Sequence, residues 1–169
     1  LDVTLQKQNS WATLRDKLHA GMLDAAQMLA PMPIASSLGL GVEKRNVITP
    51  LVLSLNGNAI TLSENLHREI LRTNRLAKVT LPMAAYLLKS VIADRKARGA
   101  GKLRFATVFP FSCHNYQLRD WIASADINED DVEIVIIPPI SMVGALETGE
   151  IDGFCVGGPW NAKAVRAGI

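Results

Sequence analysis

Strand-length apolar runs alternate with helix-length amphipathic stretches along the chain, and this alternation narrows the possible folds more than any other feature. Asp2–Gln6, Leu23–Met28, Val47–Leu55, Ala59–Leu62, Arg104–Val108, Val132–Ile137 and Asp152–Val156 read as strands. Ser10–Ala20, Pro33–Leu40, Glu64–Arg75, Leu81–Arg98, His114–Ser124, Ser141–Glu147 and Pro159–Arg166 read as helices. Ser10 is placed to cap the first helix and Gly21 to end it, while Gly39 and Gly41 close the second. Pro159 stands near the first turn of the last. The pattern predicts α/β layers with mostly parallel pairing. Sheets of that kind take ligands beyond the carboxyl ends of their strands, where loops run into helix amino termini.

A repeat lies over this alternation. Leu18-His19-Ala20-Gly21-Met22-Leu23-Asp24-Ala25 and Leu146-Glu147-Thr148-Gly149-Glu150-Ile151-Asp152-Gly153 both fit L-x-x-G-x-[LI]-D-[AG]. Each follows a predicted helix, and each helix follows a run opening Asp-Val, at Asp2-Val3 and Asp131-Val132. The repeat predicts two lobes built on a common unit, and the alternative is a chance echo of the kind any α/β chain yields.

Bulk properties exclude several classes. The 169 residues suffice for one domain or two small lobes, and the 49% hydrophobic and 20% charged content is that of a globular protein. The formal charge is only +2. The densest basic cluster, Arg95, Lys96, Arg98 and Lys102, is broken by Ala and Gly and reads as a solvated helix end. Nucleic acid as a partner is therefore not expected. No run reaches the roughly 20 apolar residues of a membrane span. The first residue is Leu1, so the start reads as internal to a longer protein. Cys113 and Cys155 lack C-x-x-C spacing and read as small apolar groups, neither disulfide-bonded nor holding zinc.

Catalysis finds little support. His19, in the last turn of the first helix, is expected to face solvent, and His67 lies mid-helix among charges. Neither has a carboxylate or cysteine partner at ligand spacing, and Gly39-Leu40-Gly41 lacks the third glycine of a dinucleotide loop. No enzyme, metal or cofactor is predicted. Polar binding has four candidate positions. Phe109–Tyr116 runs from a buried strand into a helix whose amino end would carry Ser112, His114 and Asn115 beside free N–H groups, an anion site unless Ser112 merely caps and His114 is a surface residue. Cys155–Asn161 repeats that junction, with Gly157 and Gly158 allowing close backbone approach and Trp160 offering either a binding wall or a core ring. Asn56-Gly57-Asn58 is either a plain turn or a hinge crossing that presents amides to a cleft. Trp11, after Ser10, is either a ligand wall or a staple for its helix.

Taken in order, several segments resemble the nitrate- and bicarbonate-binding proteins of ABC transporters and the cytoplasmic nitrate/nitrite sensors related to them. They are Met28–Ala35, Leu55–Thr61, His114-Asn115-Tyr116 with Leu118, Arg119 and Trp121, Pro138-Pro139 with Met142-Val143, and Asp152-Gly153-Phe154-Cys155-Val156-Gly157 with Pro159-Trp160-Asn161. The resemblance implies the type II periplasmic-binding-protein fold, two α/β lobes closing around a cleft, with the chain cut short at both ends. On it, residues 1–55 are part of lobe I, 56–161 are lobe II, and 162–169 start a helix returning toward lobe I. It also implies a pocket in which Trp11 is the tryptophan, Asn58 stands where the family often has Gln, His114 is the histidine and Gly157 the backbone glycine, with Asn115 and Trp160 beside them. The implied ligand is a small oxyanion, nitrate or nitrite first and bicarbonate next. The implied partner is an ABC permease for a periplasmic or membrane-anchored transport component, or a regulatory protein for a cytoplasmic sensor. An enzyme of the same fold is the third reading.

Overall fold

The hydroxyl of Ser10 accepts the Thr13 N–H at 3.0 Å, with Ser10 itself extended, and this cap starts helix α1, Trp11–His19, in a computed structural model that describes residues 2–55, 57–75 and 83–169. The helix ends as its sequence requires. Gly21 takes φ +70°, and the N–H groups of Gly21 and Met22 return to the carbonyls of Leu18 and Lys17. Helix α2, Pro31–Leu38, starts two residues before the predicted boundary, on a proline, and stops at Gly39. These helices belong to a compact unit of Leu1–Leu55 with Phe111–Cys113, whereas Asn56–Pro110 with His114–Ile169 form a second.

Three predicted strands of the first unit do not form. Asp2–Gln6, Leu23–Met28 and Val47–Leu55 carry no ladder, and Leu5 and Ile48 are 92% and 89% exposed. Strand propensity describes fit to a half-buried pleated surface, and a run with no neighbour to pair its N–H and C=O groups leaves them to water.

The second unit follows the predicted alternation closely. Strand β1 is Asn58–Leu62, followed by helices α3, Glu64–Thr73, and α4, Leu87–Ala97. Strand β2, Leu103–Thr107, leads to helix α5, Cys113–Ala123. Strand β3 is Val132–Ile136, helix α6 Pro139–Glu147, strand β4 Gly153–Gly157 and helix α7 Trp160–Ala167. The predicted helix over Leu81–Arg98 is realised from Leu87; residues 81 and 82 lie outside the described residues. The sheet order is β1-β4-β2-β3. β2 pairs in parallel with β3 and β4, as predicted, while β1 closes one edge antiparallel to β4.

The core follows from the spacing of apolar residues. Leu66 and Ile70 lie four apart on α3, and Leu87, Leu88, Val91 and Ile92 form the matching stripe on α4. They pack with Leu103 and Phe105 of β2 and Leu118 and Ile122 of α5, and the Phe105 and Trp121 rings meet edge to face at 6.4 Å. Gly153 sits where the layers are closest. An added Cβ would stand 2.8 Å from the Thr61 carbonyl oxygen and 3.0 Å from the Phe105 ring, so Gly153→Ala should destabilise by about 1–3 kcal/mol. Gly144 of α6 has open space around it, so Gly144→Ala should instead gain up to about 1 kcal/mol from helix propensity. Urea unfolding of the two variants checks the contrast; equal shifts would refute the packing account.

One polar cluster ties the layers. Arg95 of α4 donates to both oxygens of Glu69 on α3 at 2.9 Å and to Asp152, just before β4, at 2.8 Å. Asp152 also accepts the backbone N–H of Arg104 on β2 at 2.8 Å.

Candidate functional site

Because β2 and β4 are parallel and β1 runs against them, the carboxyl ends of two strands and the amino end of a third share one edge of the sheet. Asn58, first in β1, is the register partner of Gly157, last in β4. The loop leaving β2 returns there as α5, with His114 as its second residue. Asn58 Oδ1 and His114 Nε2 lie 3.5 and 3.9 Å from the point a Gly157 Cβ would occupy. Glycine leaves that point open.

The His114 ring is 8% exposed, and its Nδ1 is buried with no hydrogen-bond partner among the described residues. Such an atom costs about 1–3 kcal/mol, and it is the other ring nitrogen, Nε2, that lies beside the open point at Gly157. Burial holds the ring's pKa below the ordinary value of 6.5, so at neutral pH the imidazole is uncharged, with one N–H and one lone pair. Around it are the first N–H groups of α5 and the positive end of that helix.

The other predicted residues divide. Asn115 is buried, and its amide donates to the Pro110 carbonyl at 2.8 Å, pinning the loop that leads into α5. Trp160, first in α7, is half-buried with Lys163 Nζ 4.4 Å over its ring, a cation–π contact. Trp11, first in α1, is half-buried in the other unit. His19 does not simply face solvent. It is half-buried, its Nε2 is 3.1 Å from Ser36 Oγ, and burial together with Arg15 lowers its pKa, because α2 packs where a lone amphipathic helix would meet water. His67 is exposed. Both cysteines are free, and burial within β4 pushes the Cys155 thiol up to about 12.

Two side chains at this edge were not singled out from the sequence. Asn161 accepts from Thr61 Oγ1 at 2.7 Å and donates to the Val156 carbonyl at 2.8 Å, fixing the first turn of α7 to β1 and β4. Gln117 accepts from Asn58 Nδ2 at 2.8 Å. Its position three residues after His114, on the same helical face, was the available signal.

A cavity of about 570 Å³ opens at the opposite end of the sheet, lined by Ser63, Arg68, Arg95, Lys102, Arg104 and Asp152 among others. Its central charges are already committed to one another in the Arg95 cluster, so volume alone does not mark a ligand site there. Among the described residues no group of three or more His, Cys, Asp or Glu could hold a metal, and no helix is long and apolar enough to cross a membrane.

Polar groups gathered beyond the carboxyl ends of parallel strands, at a helix amino terminus, stand where α/β sheets take ligands. The chain matches the NMT1-like family over residues 1–169 and belongs to it. It is 38% identical, over 99% of its length, to the bicarbonate transport ATP-binding protein CmpC of Synechococcus elongatus, of which that match covers 24%. The nitrate import ATP-binding protein NrtC of Synechocystis is 37% identical over 99% of the chain and 23% of its own length. The crystal structure of the periplasmic nitrate-binding protein NrtA from Synechocystis superposes with a TM-score of 0.78 at 27% identity, over 96% of this chain and 40% of that one. The fold is therefore that of a periplasmic binding protein. The chain spans about a quarter of the two curated relatives and two fifths of the solved one.

Proposed function

We propose that the chain is part of a solute-binding protein that captures a small planar oxyanion, nitrate, nitrite or bicarbonate, for an ABC permease on the outer side of a membrane. The observation that carries this reading is the buried His114 ring, whose Nε2 lies with Asn58 Oδ1 beside the open backbone of Gly157 at a helix amino end. The names of the relatives, which speak of nitrate and bicarbonate transport, agree with it. Residues 1–55 are then part of lobe I, 56–161 lobe II and 162–169 the start of the returning helix, with Trp11, Asn115 and Trp160 as further ligand-binding residues.

The mechanism breaks no bond. The anion exchanges water for fixed donors, each contributing about 1.5–3 kcal/mol, so three or four reach micromolar affinity after the cost of closure. The ligand favours closure only as far as it touches both lobes. Titration calorimetry with nitrate, nitrite and bicarbonate tests the reading, and heats indistinguishable from dilution for all three would end it.

A pH dependence follows. An anion against His114 stabilises the imidazolium and raises a pKa that burial alone holds below 6.5. The added affinity is fully present below the pKa the ring has without the anion and lost as pH rises through the value it has with it. Nitrate, which carries no proton here, should therefore bind more tightly in mild acid than at neutrality. His114→Gln should flatten the profile, and an equally steep profile in that variant would assign the titration elsewhere.

A further inference from the structure

Two primary amides joined by one hydrogen bond can pair in either sense, and the sense decides which atom each shows to its other neighbours. Here Asn58 Nδ2 donates to Gln117 Oε1 at 2.8 Å. The Asn58 atom facing the open point beside Gly157 is consequently its oxygen, 3.5 Å away, with His114 Nε2 close by. An oxygen acceptor at an anion site is selective. Nitrate and nitrite offer only acceptors, so the contact is oxygen against oxygen. Bicarbonate carries an O–H and can donate into it. In the reversed sense, with Gln117 donating to Asn58 Oδ1, the Asn58 N–H faces the anion, and the preference inverts.

We propose that Gln117, outside the anion's own contacts, is a specificity-determining positioning residue whose bond to Asn58 selects between protonated and unprotonated oxyanions. In the observed sense the site favours the protonated class, of which bicarbonate is the example. Gln117 is exposed on α5 and Asn58 opens β1, so the pair bridges two elements without filling the core. The inference rests on the oxyanion reading above and adds to it the group that sorts the ligands.

The test uses the full chain and reads a ratio of affinities, because a charge placed at position 117 shifts both monoanions together. Gln117→Glu can only accept, which holds Asn58 Oδ1 toward the anion. Gln117→Lys can only donate, which turns the Asn58 N–H toward it. Sodium nitrate and sodium bicarbonate are titrated into each at one mildly alkaline pH. The nitrate-to-bicarbonate dissociation-constant ratio should be higher in Gln117→Glu than in Gln117→Lys by at least about tenfold, one charged hydrogen bond gained or lost. In an Asn58→Leu background the same two changes should leave the ratio unmoved, and a ratio that still differs there would overturn the inference by showing that position 117 acts without Asn58. Ratios agreeing within about twofold in the Asn58 background, with binding intact, would overturn the inference and leave the oxyanion reading standing. Failure of the unmodified chain to bind either anion would overturn both.

Discussion

Asp152→Ala is expected to destabilise the second unit by about 2–4 kcal/mol, lowering its unfolding midpoint by roughly 4–16 °C. Asp152 accepts from Arg95 and from the Arg104 backbone N–H, and so joins α4, the start of β4 and β2. Its carboxylate and the Arg95 guanidinium are 19% and 15% exposed, dry enough that removing one charge leaves the other poorly compensated. Glu69 still faces Arg95, which places the effect toward the lower part of the range for broken buried pairs. Asp152→Asn keeps an acceptor for the Arg104 N–H and should lose less. The hydrogen bond from Arg95 also holds the Glu69 carboxyl below its ordinary 4.5. The stability that bond contributes is present above the unfolded-state value and lost as pH falls through the lower folded one, so Arg95→Met should flatten the acid limb of the stability curve. Thermal and urea unfolding decide the matter. A midpoint for Asp152→Ala within a degree or two of the unmodified chain would show that the cluster contributes no net stability.

Asp152 also shows how far the internal repeat carries. Both copies end a helix on a glycine with positive φ, Gly21 at +70° and Gly149 at +74°. That part of the motif is local chemistry and reads directly from sequence. The rest depends on neighbours. The second aspartate meets an arginine 57 residues away and leads into a paired strand, whereas Asp24 is exposed and leads into none. The same division runs through the whole chain. Beyond residue 57 the strands lie within one residue of their predicted bounds, because each run has a partner to complete it. Val47–Leu55 has as strong a strand composition and no ladder. Composition reports what a segment can pair with; pairing itself requires a second segment.

The candidate site divides similarly. His114 and Gly157 were visible because a strand running into a helix is a local pattern with a known chemical consequence. Asn58 reads as either a plain turn or a hinge crossing, and only its register opposite Gly157 shows that it stands beside them. The Asn58–Gln117 bond spans 59 residues, and which end of an amide faces a site has no counterpart in residue order. His19 was misplaced for the same reason, since its partner Ser36 lies on a different helix.

His114→Ala is expected to weaken binding of whichever small oxyanion the protein takes by tenfold to a hundredfold, about 1.5–3 kcal/mol. The ring lies in the first turn of α5, where N–H groups and helix dipole already favour negative charge, and its Nε2 reaches the open point beside Gly157. Alanine removes a charge-assisted hydrogen bond and leaves room that water can enter. Folding should suffer much less than binding. The lost ring fills buried space, but it also carries a buried nitrogen with no partner, so a packing loss and a relieved desolvation cost oppose each other. That opposition separates His114 from an ordinary core residue, whose removal lowers stability first and affinity only as a consequence. His67→Ala, on an exposed face of α3, is the control and should change neither quantity. His19→Ala is unsuitable, because its bond to Ser36 joins two helices. Calorimetric affinity and the ligand-free unfolding midpoint, measured together on the full chain, distinguish the outcomes. A large fall in midpoint with unchanged affinity would make His114 a core histidine and move the anion site away from the amino end of α5.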